Sequence, residues 1–85
     1  MACDFTITFT STPAELVATA KTKVLENEGT FTGDVNAGSF YIPVLLSHID
    51  GTYMISGRNM MVEISHKPFF LTCNQVKQYI EDNLG

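Results

Sequence analysis

The sequence predicts an α+β fold, a two-layer sandwich in which a five-stranded, mostly antiparallel sheet carries two helices on one face. Apolar residues alternate with period two near the N-terminus and again through most of residues 30–66. They recur instead at helical spacing over about 13–28 and again after Thr72. Each strand then has one dry face and each helix one dry stripe. A single sheet with both helices on the same side buries all of them. The element order is β-α-β-β-β-β-α.

The first strand shows the period most plainly. Phe5, Ile7 and Phe9 interleave with Asp4, Thr6, Thr8 and Thr10, and side chains alternate faces along a strand. Thr12-Pro13-Ala14-Glu15 then starts a helix. Thr12 caps, Pro13 suits the first helical position and Glu15 completes a capping box. Val17, Ala20 and Val24, widened by Leu16, form the buried stripe, and Gly29 stands where a left-handed cap would end the helix.

A second strand is expected at about 30–35, with Asn36-Ala37-Gly38 as the turn, and a third at about 39–49. Phe40, Ile42, Val44 and Leu46 share one face of that strand, and Pro43 marks an irregular or unpaired side. Asp50-Gly51 is the strongest local signal, since Asp-Gly between alternating segments reads as a two-residue hairpin. That register pairs Ile49 with Thr52, His48 with Tyr53 and Leu46 with Ile55. The next turn falls at Gly57-Arg58 or Arg58-Asn59 and keeps Met60, Val62 and Ile64 on the face of Tyr53 and Ile55.

Thr72-Cys73-Asn74-Gln75 is a second capping box, with Leu71 and Val76 at the positions of a hydrophobic staple. Cys73, Val76, Ile80 and Leu84 repeat along one helix face. Strands 2 to 5 make a meander. Strand 1 pairs with strand 5 or strand 2, and the favoured order is 1-5-4-3-2.

The chain of 85 residues, 9.4 kDa, reads as one domain, residues 1–85. It is 45% hydrophobic and only 16% charged, too apolar for a disordered chain. No apolar run approaches the ~18 residues of a membrane span. No secretion signal is visible, so the expected location is cytoplasmic. A net charge of −4 without a Lys/Arg cluster argues against nucleic acid and against anionic lipid. No glycine-rich phosphate loop is present, and no cofactor is expected.

The layout resembles a miniature helix-grip (START-like) arrangement. More closely, Phe31 to Leu84, about two thirds of the chain, resembles the polyhydroxyalkanoic acid system protein family. The matching pieces are Gly33-Asp34, Asp50-Gly51, the alternation from Tyr53 to Ile64, and Lys67-Pro68-Phe69 leading into a helix. The chain is poorer in Arg than that family. The resemblance implies a small cytoplasmic bacterial protein associated with storage granules. It implies no catalytic residues.

Few residues carry chemistry. Cys3 and Cys73 are expected as free thiols packing like small apolar residues. The alternative is a disulfide or redox pair, with Cys73 as a reactive thiol at a helix N-terminus. His48 and His66 fall near one end of the sheet on the dry parity, without the spacing of a zinc site. Asp4, Asp34 and Glu63 fall on the wet parity, and each remaining carboxylate has a cap, turn or solvent role, so no catalytic group is assigned.

Tyr41, Leu45, Ile49, Met54 and Met61 share outward parity and form the candidate interface. The leading function is accordingly a non-enzymatic interaction domain that binds a protein partner or a second copy. The alternative is a carrier that holds an apolar ligand between sheet and second helix, lined by Phe40, Tyr53, Phe69, Phe70 and Tyr79.

Overall fold

The computed structural model describes residues 3–44 and 46–84. Strand β1 (Cys3–Thr8) precedes helix α1 (Pro13–Glu26). Strands β2 (Thr30–Gly33), β3 (Ala37–Val44), β4 (Ser47–Ser56) and β5 (Asn59–His66) follow, and then helix α2 (Cys73–Leu84). All strand pairs are antiparallel, in one sheet of order β1-β5-β4-β3-β2. Strand 1 lies beside strand 5, as the favoured order has it. No helix is long and apolar enough to cross a membrane.

Both helix starts follow the sequence. The Glu15 amide donates to Thr12 Oγ1 at 3.2 Å while the Thr12 amide donates to Glu15 Oε1. Thr72 and Gln75 repeat the exchange at α2, at 2.8 and 3.1 Å. The end of α1 departs from expectation by one residue. Glu28, not Gly29, takes the left-handed conformation, with φ 64°. The Glu28 amide donates to Leu25 O and the Gly29 amide to Val24 O, which is a Schellman ending. Gly29 serves packing, since a Cβ there would stand 2.2 Å from the Tyr41 carbonyl oxygen.

The largest correction concerns Asp50-Gly51. These residues are not a turn: they lie inside β4. The chain reverses between Val44 and Ser47, which pair with each other. None of the three expected pairs forms, and Ile42 faces Ile49 while Phe40 faces Gly51. The reason is burial. This register puts Ile49 into the core with 2% of its surface exposed, whereas a turn at 50–51 sends it outward. Gly51 is needed for a different purpose than a turn, because the Phe40 ring and the Ile64 methyl lie where a Cβ would be. The turn itself is locally unfavourable. Leu46 holds a left-handed φ of 61° and is 99% exposed.

Other turns lie close to expectation. Ser56 pairs with Asn59, so Gly57-Arg58 is the β4–β5 turn. Arg58 ties that turn to the β1–α1 connection, donating to the Thr10 and Ser11 carbonyls. The β2–β3 reversal begins earlier than expected, at Asp34. Its Oδ1 accepts the Asn36 and Ala37 amides at 2.8 and 3.1 Å. Those two bonds hold the Asp34 carboxyl below its ordinary pKa.

The core lies between the sheet and the two helices. Ile7, Phe9, Ile42, Ile49, Tyr53, Met60, Val62 and Ile64 meet Leu16 and Val24 of α1 and Val76 of α2. Tyr53 stacks on Phe31 with ring centroids 5.6 Å apart and donates its hydroxyl to Asp34 O at 2.7 Å.

Two outcomes test this fold. Leu46→Gly relieves a left-handed leucine and removes no packed side chain, so it should raise the unfolding free energy by about 1 kcal/mol in urea titration. A turn at 50–51 would give no gain. Burial, and secondarily the Asp34 carboxylate, raise the Tyr53 phenol above 10.0. The stability linked to the neutral phenol is complete below pH 10.0 and is lost as pH climbs through the raised value. Thermal unfolding across alkaline pH should therefore show a decline that Tyr53→Phe reduces.

Candidate functional site

Both helices pack on one face of the sheet and leave the other bare. Alternation puts every second strand residue on that outer face, and antiparallel pairing arranges them in rows across the strands. One row reads Thr6, Met61, Met54, Ala37 from β1 to β3. The next reads Asp4, Glu63, Thr52, Ser39. A third, nearer the β3–β4 reversal, brings His66, Asp50 and Tyr41 side by side.

The candidate interface is thus partly redrawn. Met54 and Met61 are direct cross-strand partners, 59% and 42% exposed. Tyr41 is exposed on the same face, but the row of Glu63 and Thr52 separates it from the methionines. Ile49 drops out, because its pairing with Ile42 places it in the core. Leu45 lies outside the described residues. The methionine and carboxylate rows line an open groove of about 710 Å³.

The histidines change face as well. They were expected on the dry parity, with His48 against Tyr53. Moving the turn reverses the parity of His48. At β5 a bulge does the same for His66: Asp50 pairs with His66 and Gly51 with Ile64, so Ser65 has no partner. The two imidazoles stack at 4.2 Å, Tyr41 tilts against His48 at 5.1 Å, and Asp50 Oδ2 lies 3.2 Å from His48 Nε2. An imidazole and a carboxylate in contact can pass a proton, and the Ser65 hydroxyl beside them donates to the Asp50 carbonyl at 3.3 Å. Among the described residues, no three His, Cys, Asp or Glu side chains are grouped to hold a metal ion.

The expected ligand lining does not come together. Phe40 and Tyr79 line an apolar cavity between α1, α2 and the sheet, together with Phe31, Met60 and Ile80. Its volume is about 40 Å³, against ~300 Å³ or more for sites that hold organic ligands. Tyr53 fills its own place in the core. Phe69 and Phe70, in an edge-to-face pair, stand out on the connection before α2, and Phe69 is 95% exposed. With Leu46 they give the turn end of the sheet an apolar surface that the strand and helix periodicities do not announce. The signal available was Pro68-Phe69-Phe70, two aromatics following a proline outside any periodic segment.

Cys3 and Cys73 are joined in a disulfide, with Cα atoms 5.8 Å apart. The expectation of two free thiols is overturned, and Cys73 is not a reactive thiol in this structure. The cause is the β1–β5 pairing. Cys3 pairs with Ile64 near the end of β5, and the short connection after β5 returns α2 to the same corner. Compared with known proteins, the chain matches no family model, no curated protein and no solved structure.

The bond closes a loop with a sequence separation of 70. On chain entropy alone this contributes about 4 kcal/mol. Cys3→Ser with Cys73→Ser should accordingly lower the unfolding free energy by about 3–5 kcal/mol in urea titration. A loss below ~1 kcal/mol would show that α2 docks without the bond.

Proposed function

We propose that this chain is a non-enzymatic interaction domain that binds a protein partner on the outer face of its sheet. The observation that carries the reading is the bare face itself. Among the described residues no element covers it, and it carries a groove of about 710 Å³ and two exposed, directly paired methionines. Methionine suits such a surface because its unbranched, polarizable side chain adapts to what it touches. The apolar cavity is too small to support the carrier reading. The resemblance to the polyhydroxyalkanoic acid system proteins points the same way as the groove, since it brings no catalytic residues. Its cytoplasmic setting sits against the Cys3–Cys73 bond, which favours an oxidising compartment, where disulfides persist.

A display selection of random peptides against the folded protein tests the surface. Met54→Ser with Met61→Ser removes apolar area from exposed positions and leaves the core intact. Selected peptides should bind that variant about tenfold or more weakly than the parent, the scale of losing a contact residue near an interface centre. Peptides that ignore this pair, or that depend instead on Phe69 and Phe70, would place the binding surface elsewhere and refute the reading.

A further inference from the structure

The charges on the bare face narrow what can cover it. Asp4 and Glu63 are direct cross-strand partners in the row beside Met61 and Met54. Like charges placed opposite one another on a sheet are unfavourable. Both carboxylates are exposed, and no described residue of the chain forms a salt bridge with either.

The chain's five cations lie elsewhere. Lys21 and Lys23 are on α1, Lys77 is on α2, Arg58 is in the β4–β5 turn and Lys67 is on the connection to α2. Arg58 and Lys67 are further committed to backbone carbonyls. The outer face therefore presents carboxylates and methionines with no Lys or Arg on any strand.

Resting on the reading that this face is the docking surface, we propose that its occupant is a basic, apolar segment of a partner protein, with a lysine or arginine seated between Asp4 and Glu63 and an apolar side chain on Met54 and Met61. Charge complementarity carries the choice. A cation placed there turns an unfavourable carboxylate pair into two attractive contacts. A second copy of this chain meets the opposite condition. A two-fold symmetric contact sets a patch against itself, and because this patch carries no Lys or Arg, a second copy brings neither carboxylate such a cation. The spacing also fits. The carboxylate and methionine rows are two residues apart along β5, about 7 Å. That is the separation of same-face side chains, i and i+2, on an extended peptide, so a segment with a cationic residue at one position and an apolar residue two positions on meets both rows with one face.

The test uses the folded, oxidised protein and three short labelled peptides in which every second residue is serine: in the positions between, which share one face of an extended segment, one alternates lysine and leucine, one glutamate and leucine, and one serine and leucine. Binding is read by fluorescence anisotropy at low and high salt. The lysine–leucine peptide should bind best and weaken as salt screens the contact. Asp4→Asn with Glu63→Gln should weaken it about tenfold or more, the effect of losing a close charge pair at an interface. These positions are exposed, and neutralising like charges does not threaten the fold. Glu26→Gln with Glu28→Gln changes the net charge equally on another surface and should leave binding unchanged.

If Met54→Ser with Met61→Ser weakens binding but Asp4→Asn with Glu63→Gln does not, the face docks a partner and the basic occupant is wrong. Indifference to both pairs, or no binding by the lysine–leucine peptide, overturns the proposal. If selected peptides also ignore the methionines, the docking face itself is refuted. A concentration-dependent dimer abolished by Met54→Ser with Met61→Ser makes the occupant a second copy and overturns it equally.

Discussion

The pairing of Ile42 with Ile49 decides which face every residue of β4 occupies. With that pair formed, Ile49, Gly51, Tyr53 and Ile55 turn toward the helices, and His48, Asp50, Thr52 and Met54 turn away. A slip of one residue exchanges the two sets. The core then loses Ile49 and Tyr53 and gains histidine and aspartate. The Tyr53 hydroxyl could no longer reach the Asp34 carbonyl. The left-handed conformation of Leu46 is tolerated because the alternative is an inverted strand.

The β4–β5 register, fixed by the turn at Gly57-Arg58, composes the outer surface. It sets Met54 against Met61 and carries Thr52 beside Glu63. At the other edge of β5 the pairing with β1 brings Asp4 to Glu63. The bulge at Ser65 then turns His66 onto His48 and Asp50. None of these neighbours is close in sequence, yet together they give one face its mixture of soft apolar and acidic groups. The groove is a consequence of strand order and register, not of any local motif.

The β1–β5 pairing has a second effect. It brings the start of β1 to the corner where α2 begins and places the two sulfurs within bonding distance. A small domain has limited surface to bury, and α2 keeps only Val76 fully buried, with Ile80 and Leu84 partly so. The disulfide holds the helix where apolar burial alone is modest. The same bond removes the one nucleophile that a sequence reading could offer.

The sequence by itself determined the element types, their order and both helix starts, and favoured one order of strands while leaving the partner of strand 1 open, because period-two and helical alternation, capping boxes and the need to bury one face per element are local or nearly local signals. Asp4 and Glu63 were readable as wet-face residues, and their contact followed once strand 1 was placed beside strand 5. What only the tertiary structure decided was the position of the β3–β4 turn, and with it the true membership of the outer face. Asp-Gly is a strong hairpin former and Leu-Leu a poor one, but turn preference amounts to about 1 kcal/mol, whereas burying Ile49 contributes roughly 1.5–3 kcal/mol. The disulfide rests on the pairing of strand 1 with strand 5, which the sequence left open. Two cysteines 70 residues apart become neighbours only after the sheet has closed around them.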